Sequence, residues 1–356
     1  MLSSATTIVV LIMYLCIPES AIPSSSSSLE SFYIPSFNGT FSEYLTFSPI
    51  STGFNFSEEF HHEKSSPPEI ASHYPDESQR QFPYPFVSGD MFRFTSDFIF
   101  DENDYRNHWG PGHVGSCQTV FVKNNLLGDF FDDVFPHIRH PFILISHNGD
   151  DPAPGRFHGH LADPRIYSWF AQNLDGTQHM KLRPIPIGIT NSQWETGNLN
   201  EWRRALSRDL PGWDERDTLL FINWTDVNNP IRKLLKEKFR HFTKDTVVGE
   251  GNHEQFLHNL TRTKFVLSPP GKGIDCHRHW EAILMGAVPI VLRSGLDPLF
   301  QNAPAVVVDD FNDISEDLLR ALRPSESYNR RIMWANLWLG MIKNSVQECL
   351  ARRSES

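Results

Sequence analysis

An arginine and a glutamate, Arg278 and Glu281, stand three residues apart just after a turn that contains Gly271, Lys272 and Gly273. On a helix this spacing places both side chains on one side. A guanidinium suits a diphosphate, and a carboxylate can accept hydrogen bonds from ribose hydroxyls. These residue types are those of a nucleotide-sugar site, although the same spacing is also common in solvated surface pairs.

The surrounding sequence predicts the elements that would position this group. Residues 265–267 form an apolar run before the glycine turn, and Asp275 is placed to cap the following helix. Gly286 fits the position after the helix end, and residues 288–292 predict a second buried strand. Such a unit can bring backbone N–H groups and a helix terminus to a phosphate. Neither the GxGxxG pattern nor the P-loop pattern occurs, which disfavours a dehydrogenase or a P-loop NTPase.

The same stretch resembles the C-terminal signature of exostosin-type glycosyltransferases. The matching elements are Ser268-Pro-Pro-Gly271, Arg278-His-Trp-Glu281-Ala282 and Gly286-Ala-Val-Pro289. Further blocks that resemble this group are residues 141–148, residues 185–188 with Asn191 and Trp194, and residues 220–223 with Arg232. The resemblance covers roughly residues 95–345. It implies a GT-B fold, a nucleotide-sugar donor and transfer with inversion.

The predicted fold class is α/β, with two Rossmann-like domains in a GT-B arrangement preceded by a poorly ordered stem. We predict a signal peptide or short signal anchor over residues 1–22 and a Ser/Pro-rich stem over 23–82. An acceptor-side domain over 83–205 and a nucleotide-sugar-binding domain over 206–326 follow, and a C-terminal helix with tail over 327–356 ends the chain. Periodicity predicts strands at 119–122, 142–145, 182–189, 219–222, near 247 and at 305–308, and helices at 126–135, 164–174, 230–239, 253–261, 314–322 and 327–352. The last helix is expected to return to the first domain, as in GT-B enzymes.

Candidates for the chemistry follow from the needs of sugar transfer. Inversion requires a general base, and His147, Asp150 and Asp151 follow a predicted strand where α/β sites form. The Gly-Asp-Asp run also has the composition of a solvated turn. Arg232 is a second candidate cation for the leaving diphosphate, with an exposed helix arginine as the alternative.

Charge and metal-ligand patterns narrow the function classes. The formal net charge of -11 disfavours nucleic acid as a partner. His158, His160 and Asp163, with His147, could form a zinc site, so a metal-dependent hydrolase is a rival, but HExxH is absent. No Asp-x-Asp motif follows a predicted strand. We therefore expect no required cofactor and no bound metal, with the nucleotide sugar, for example a UDP-sugar, as substrate.

The N-terminus predicts entry into the secretory pathway. Residues 6–17 form an uninterrupted apolar or neutral run with the length of a signal-peptide core. A buried strand or helix is the alternative, which the small residues and Ser-rich tract that follow disfavour. Four glycosylation sequons, at Asn38, Asn55, Asn223 and Asn259, agree with a luminal glycoprotein. The expected location is the Golgi or endoplasmic reticulum lumen, or outside the cell, with membrane attachment through the N-terminal segment as an option. Three cysteines beyond the leader allow one disulfide.

The sequence thus predicts a glycosyltransferase that moves a sugar from a nucleotide-diphosphate sugar to a hydroxyl of a glycan or glycoprotein acceptor. The alternative is a luminal protein that keeps the nucleotide-binding fold and only binds a glycan or a protein partner. Loss of the base would leave the donor motif intact, so the motif does not separate the two.

Overall fold

The computed structural model describes residues 11–13, 15–16, 80–102, 110–243, 252–301, 303–324 and 330–354. Residues 23–79 of the stem predicted at 23–82 lie outside these ranges, as does the strand predicted near Val247. The strands are β1 (Leu11–Met13), β2 (Leu15–Cys16), β3 (Phe98–Phe100), β4 (Thr119–Lys123), β5 (Phe142–His147), β6 (Ile166–Ala171), β7 (Leu182–Pro184), β8 (Thr218–Phe221), β9 (Thr263–Leu267), β10 (Val288–Leu292), β11 (Ala305–Val308) and β12 (Arg323–Pro324). The α-helices are α1 (Gly89–Phe94), α2 (Leu127–Asp129), α3 (Leu199–Leu206), α4 (Ile231–Lys238), α5 (His253–Arg262), α6 (His277–Leu284), α7 (Asp297–Phe300), α8 (Glu316–Ala321) and α9 (Ala335–Ser354).

The first sheet contains five parallel strands in the order β3-β4-β5-β6-β7. All six residues of β5 are buried, as expected for a parallel strand that is covered on both faces. The helix predicted at residues 126–135 is a short α2 that continues through a π-helical turn and a 3-10 turn. Phe130, Phe131 and Val134 of that segment are buried, as the periodicity predicted.

The helix predicted at residues 164–174 is wrong, because Ile166–Ala171 is strand β6. Its β-branched and aromatic residues favour a strand. A parallel strand buried on both faces lacks the alternation of an exposed strand, so an apolar run of this length also matches a helix. The strand predicted at 182–189 is shorter than expected and ends at Pro184. Pro184 and Pro186 lack the N–H groups that a longer strand would use.

The second sheet has four parallel strands in the order β11-β10-β9-β8, with β1 antiparallel beside β11. A separate pair joins β12 to β2. Strands β10 and β11 and helices α4 and α5 lie where the sequence predicted them. Gly286, with φ +80°, follows the end of α6 in the left-handed conformation expected there. The α/β prediction is therefore confirmed, with two parallel sheets.

The last helix, α9, joins the two halves. It begins at Ala335, after a 3-10 turn over Arg331–Met333, and packs against β5 of the first sheet. The hydroxyl oxygens of Ser168 and Ser345 are 2.6 Å apart, and a disulfide links Cys117 to Cys349. The predicted return of this helix to the first domain is confirmed. Within the described residues, no helix is long and apolar enough to cross a membrane.

One hydrophobic core extends across both halves. Its buried members include Phe121 and Phe170 from the first sheet and Phe221 and Val266 from the second. Each sheet also has one smaller hydrophobic cluster on its outer side. Because apolar contact is continuous between the halves, the residues at the boundary have defined positions, and the site described next lies there.

Candidate functional site

Asn173 connects the carboxyl ends of the two sheets. This residue follows β6, and its Nδ2 donates to the Gly149 carbonyl oxygen at 2.9 Å. Its Oδ1 accepts from the backbone N–H of Asp275 at 2.9 Å, in the loop after β9. A Cβ on Gly273 would lie 2.8 Å from Asn173 Nδ2, so the close approach requires glycine at this position. The glycine turn is thus held against the first domain.

The start of α6 is bonded to the segment after β7. The Asp275 carboxylate accepts from the Ile187 N–H and from Trp280 Nε1, each at 2.7 Å. Burial raises the pKa of Asp275 to about 7, and these two hydrogen bonds oppose the rise. The predicted N-cap role of Asp275 is wrong, because Cys276 occupies the N-cap position. The Asp275 carboxylate that an N-cap would need for the helix backbone instead accepts from Ile187 and Trp280.

Arg232 and Arg278 converge on the loop after β9. Arg232 is 5% exposed, so the alternative of an exposed helix arginine is wrong. Its Nε donates to the Pro270 carbonyl at 3.0 Å, and Arg278 Nη1 donates to the Pro269 carbonyl at 3.5 Å. Arg278 Nε also donates to the Asn223 carbonyl, after β8, at 2.8 Å. Burial, together with the nearby Arg232 charge, lowers the pKa of Arg278. Within the described parts of the chain, neither guanidinium forms an ion pair with a carboxylate.

Glu281 lies one helical turn beyond Arg278 and is 5% exposed. Its Oε1 is 3.4 Å from the Thr190 hydroxyl, which donates to it. Burial raises the pKa of Glu281 to about 7, and the Arg278 charge opposes the rise. The carboxyl group therefore has a weakly held partner that the hydroxyl of a ligand could replace.

The three turn residues named from the sequence differ in their surroundings. The Gly271 N–H donates to the Gly273 carbonyl at 3.0 Å, which closes the turn. A Cβ on Gly271 would lie 3.1 Å from an Arg232 nitrogen, so the turn backbone lies directly beside that cation. The Lys272 side chain is exposed and extends to solvent. The structure therefore brings Gly271, Arg232 and Arg278 together.

A cleft of ≈ 340 Å³ lies beside this group, on the side of the first domain. It is lined by Arg80, Asp101, Glu102, Phe121, Lys123, Asn125, Asn148, Gly149, Asp150, Ile187, Asn191, Gln193, Trp194 and His277. Trp194 is 61% exposed, and His277 is the first residue of α6. An exposed indole and several polar side chains together have the chemistry of a sugar-binding surface.

The three base candidates are not equivalent. Asp150 lines the cleft, whereas Asp151 does not. His147 is fully buried: its Nδ1 accepts from the Asn148 N–H at 2.8 Å, and its Nε2 lies 3.1 Å from the Pro186 carbonyl. Burial lowers the pKa of His147 to about 4. Since both ring nitrogens have hydrogen-bond partners, His147 has a structural role next to the cleft residue Asn148.

The residues considered for a zinc site are engaged elsewhere. The His160 ring stacks on Phe131, with 4.0 Å between the ring centroids, and Asp163 forms an ion pair with Arg165 at 2.8 Å. No group of three or more His, Cys, Asp or Glu side chains that could hold a metal occurs among the described residues.

Two site residues were not found as such in the sequence. Asn173 and His277 act through contacts with residues distant in the chain, so their spacing gave no signal. The one local sign that could have indicated His277 is its place directly before Arg278, which the sequence had named as a candidate.

No model of a known protein family and no curated protein matches this chain.

Proposed function

We propose that this protein is a glycosyltransferase of exostosin-like type that transfers a sugar from a nucleotide-diphosphate sugar to a glycan hydroxyl, with inversion. The observation that carries the proposal is the convergence of Arg232 and Arg278 on the Pro-Gly loop after β9, where neither forms an ion pair with a carboxylate among the described residues. Two partly or fully buried cations are costly unless an anion compensates them. A diphosphate supplies that compensation.

The chemistry of sugar transfer uses this charge directly. When the bond from the anomeric carbon to the diphosphate breaks, negative charge develops on the leaving oxygen. Guanidinium groups fixed at that position stabilise the transition state more than the ground state. Glu281 would accept from the ribose hydroxyls in place of Thr190. The positive charge of the two arginines offers the role that a metal ion has in other transferases, so we propose turnover without a metal.

The arrangement of the two halves supports a GT-B type of site. The proposed donor residues follow β8 and β9 of the second sheet, and the cleft lies at the ends of β4 and β5 of the first. In open α/β sheets, ligands bind outside the carboxyl ends of the strands. A donor on the second sheet would therefore face an acceptor in the cleft.

We propose that the protein acts in the lumen of the secretory pathway. The Cys117–Cys349 disulfide supports this location, since such bonds persist in oxidising compartments. The acceptor would then be a glycan or a glycoprotein.

A thermal-shift screen with UDP, GDP, CMP and their common sugars tests the proposal. We expect one nucleotide family to raise the melting temperature of the wild type and to lose that effect in Arg278→Lys and Arg232→Lys. These variants keep a positive charge but lose the planar group that binds phosphate in two places. Arg320→Lys, on the exposed face of α8, is the matched control.

Turnover completes the test. Release of nucleoside diphosphate with simple glycosides as acceptors would establish a transferase. Nucleotide binding without turnover on any glycoside or glycoprotein pool would favour the non-catalytic binding protein. A folded protein that binds no nucleotide would overturn the proposal.

A further inference from the structure

His277 has the geometry of a general base. Its Nδ1 lies 2.8 Å from the Gly188 carbonyl oxygen. A carbonyl oxygen only accepts, so Nδ1 carries the proton and the neutral ring has its lone pair on Nε2. Among the described residues Nε2 has no hydrogen-bond partner, and the ring lines the cleft.

The position of His277 relative to the donor site fits the reaction. His277 and Arg278 are successive residues in the first turn of α6, so they project about 100° apart around the helix. The base and a leaving-group cation thus extend from the same rigid turn in different directions. Inversion requires the acceptor to attack from the face opposite the leaving diphosphate, and these two directions suit that requirement.

On this basis we propose that Nε2 of His277 is the general base that deprotonates the acceptor hydroxyl; the proposal rests on the glycosyltransferase function above. The proton moves from the hydroxyl to Nε2 while the hydroxyl oxygen forms a bond to the anomeric carbon. The bond from that carbon to the diphosphate oxygen breaks, and its electron pair remains on the diphosphate beside Arg232 and Arg278. The imidazolium returns its proton to water after the products leave.

Asp150 is the lining acid whose charge acts on His277. The other lining acids are paired: Asp101 with Arg93 at 2.7 Å and Glu102 with Lys123 at 2.8 Å. Within the described residues Asp150 has no ion-pair partner, so its charge acts on His277. Burial lowers the pKa of His277, and the Gly188 hydrogen bond and the Asp150 charge oppose that change. The ring is therefore neutral near pH 7 and becomes more basic beside Asp150.

The test separates base chemistry from domain docking. In His277→Asn, the side-chain amide can still donate to the Gly188 carbonyl but has no basic nitrogen. We expect an unchanged melting temperature, an unchanged shift with the nucleotide that stabilises the wild type, and a kcat lowered by about 10²–10⁴-fold. His158→Asn is the matched control, because His158 is exposed and lies outside the cleft.

The pH profile gives a second readout. Wild-type kcat should fall as the pH decreases through the pKa of His277, and this acidic limb should be lost in the residual activity of His277→Asn. Asp150→Asn should shift the limb to lower pH, because its charge favours the imidazolium. The charged groups that line the cleft with His277 are Arg80, Asp101, Glu102, Lys123 and Asp150, and the buried, neutral His147 lies near the ring.

The outcomes distinguish the two proposals. If the wild type turns over and the kcat of His277→Asn is within threefold of the wild-type value, the His277 assignment alone is overturned. The same holds if His277→Asn keeps the acidic limb of the wild-type pH profile. Loss of activity in Asp150→Asn but not in His277→Asn would make Asp150 the base. Absence of both nucleotide binding and turnover in the wild type overturns the function itself and the base assignment with it.

Discussion

Asp275 holds the second domain to the first through a single carboxylate that accepts from Ile187 N–H and Trp280 Nε1, each at 2.7 Å. One donor belongs to the segment after β7 and the other to α6. The carboxylate therefore fixes the first turn of α6, and with it His277 and Arg278, against the domain boundary. This contact acts together with the Asn173 bridge and the His277–Gly188 hydrogen bond to hold the proposed donor residues beside the cleft.

Asp275→Asn should lower the free energy of unfolding by about 1–3 kcal/mol. The amide keeps one accepting oxygen, but its NH₂ group would face one of the two donors. Urea unfolding measures the loss. Asp317→Asn, on the exposed side of α8, should change stability by much less, and equal effects in the two variants would contradict the role of Asp275.

Glu281→Gln should flatten the dependence of stability on pH. The pKa of Glu281 is raised from 4.5 to about 7 by burial. Between these values the unfolded chain is ionised while the folded protein keeps the proton, so wild-type stability falls as the pH rises, by at most about 1.4 kcal/mol per pH unit from this group. The loss levels off above pH 7.

Urea unfolding at several pH values from 4.5 to 7.5 measures both proteins. Asp275 adds a slope of the same sign, but it is present in both and cancels in the difference. Parallel curves for wild type and Glu281→Gln would show that Glu281 ionises normally in the folded protein.

Gly273→Ala should destabilise the protein by about 1–3 kcal/mol. The added Cβ would lie 2.8 Å from Asn173 Nδ2, which bonds to the Gly149 carbonyl, so the bridge between the sheets must shift. Nucleotide binding should weaken as well. Gly159→Ala is the control, since a Cβ there meets no atom within 4 Å. Thermal unfolding of both variants decides whether the close approach matters.

Trp194→Ala should raise the acceptor KM about tenfold, equivalent to about 1.4 kcal/mol, through the loss of an aromatic surface for a sugar ring. The effect of nucleotide on melting temperature should stay unchanged, because Trp194 lines the cleft proposed for the acceptor. Trp194→Phe should keep part of the affinity. Leu234→Ala removes another exposed apolar side chain, 70% exposed and outside the cleft, and should leave KM unaltered.

The sequence predicted local units well and long-range contacts poorly. Strand β9, helix α6 and strand β10 were found because a glycine turn, a helical period and a buried run follow each other within thirty residues. Strand β6 was taken for a helix because its burial on both faces removes the alternation that identifies a strand.

The same difference between local signals and long-range contacts applies to the candidate site. Arg232 and Arg278 carry a chemical signal in their residue type, so both were named. The importance of His277 depends on Gly188, which lies 89 residues earlier in the chain, and no local spacing reveals that hydrogen bond. Asp275 had the position of a cap, but the donors of Ile187 and Trp280 determine its role.

The Cys117–Cys349 disulfide closes a covalent ring, since 232 positions of the chain separate its two cysteines. The four parallel strands of the second sheet, β8 to β11, lie inside this ring. Proteolytic cleavage between α3 and β8 would consequently produce a two-chain protein whose parts remain attached, and only a reductant would separate them. The disulfide would thus keep the two halves covalently connected after a break at the point where they are joined in sequence.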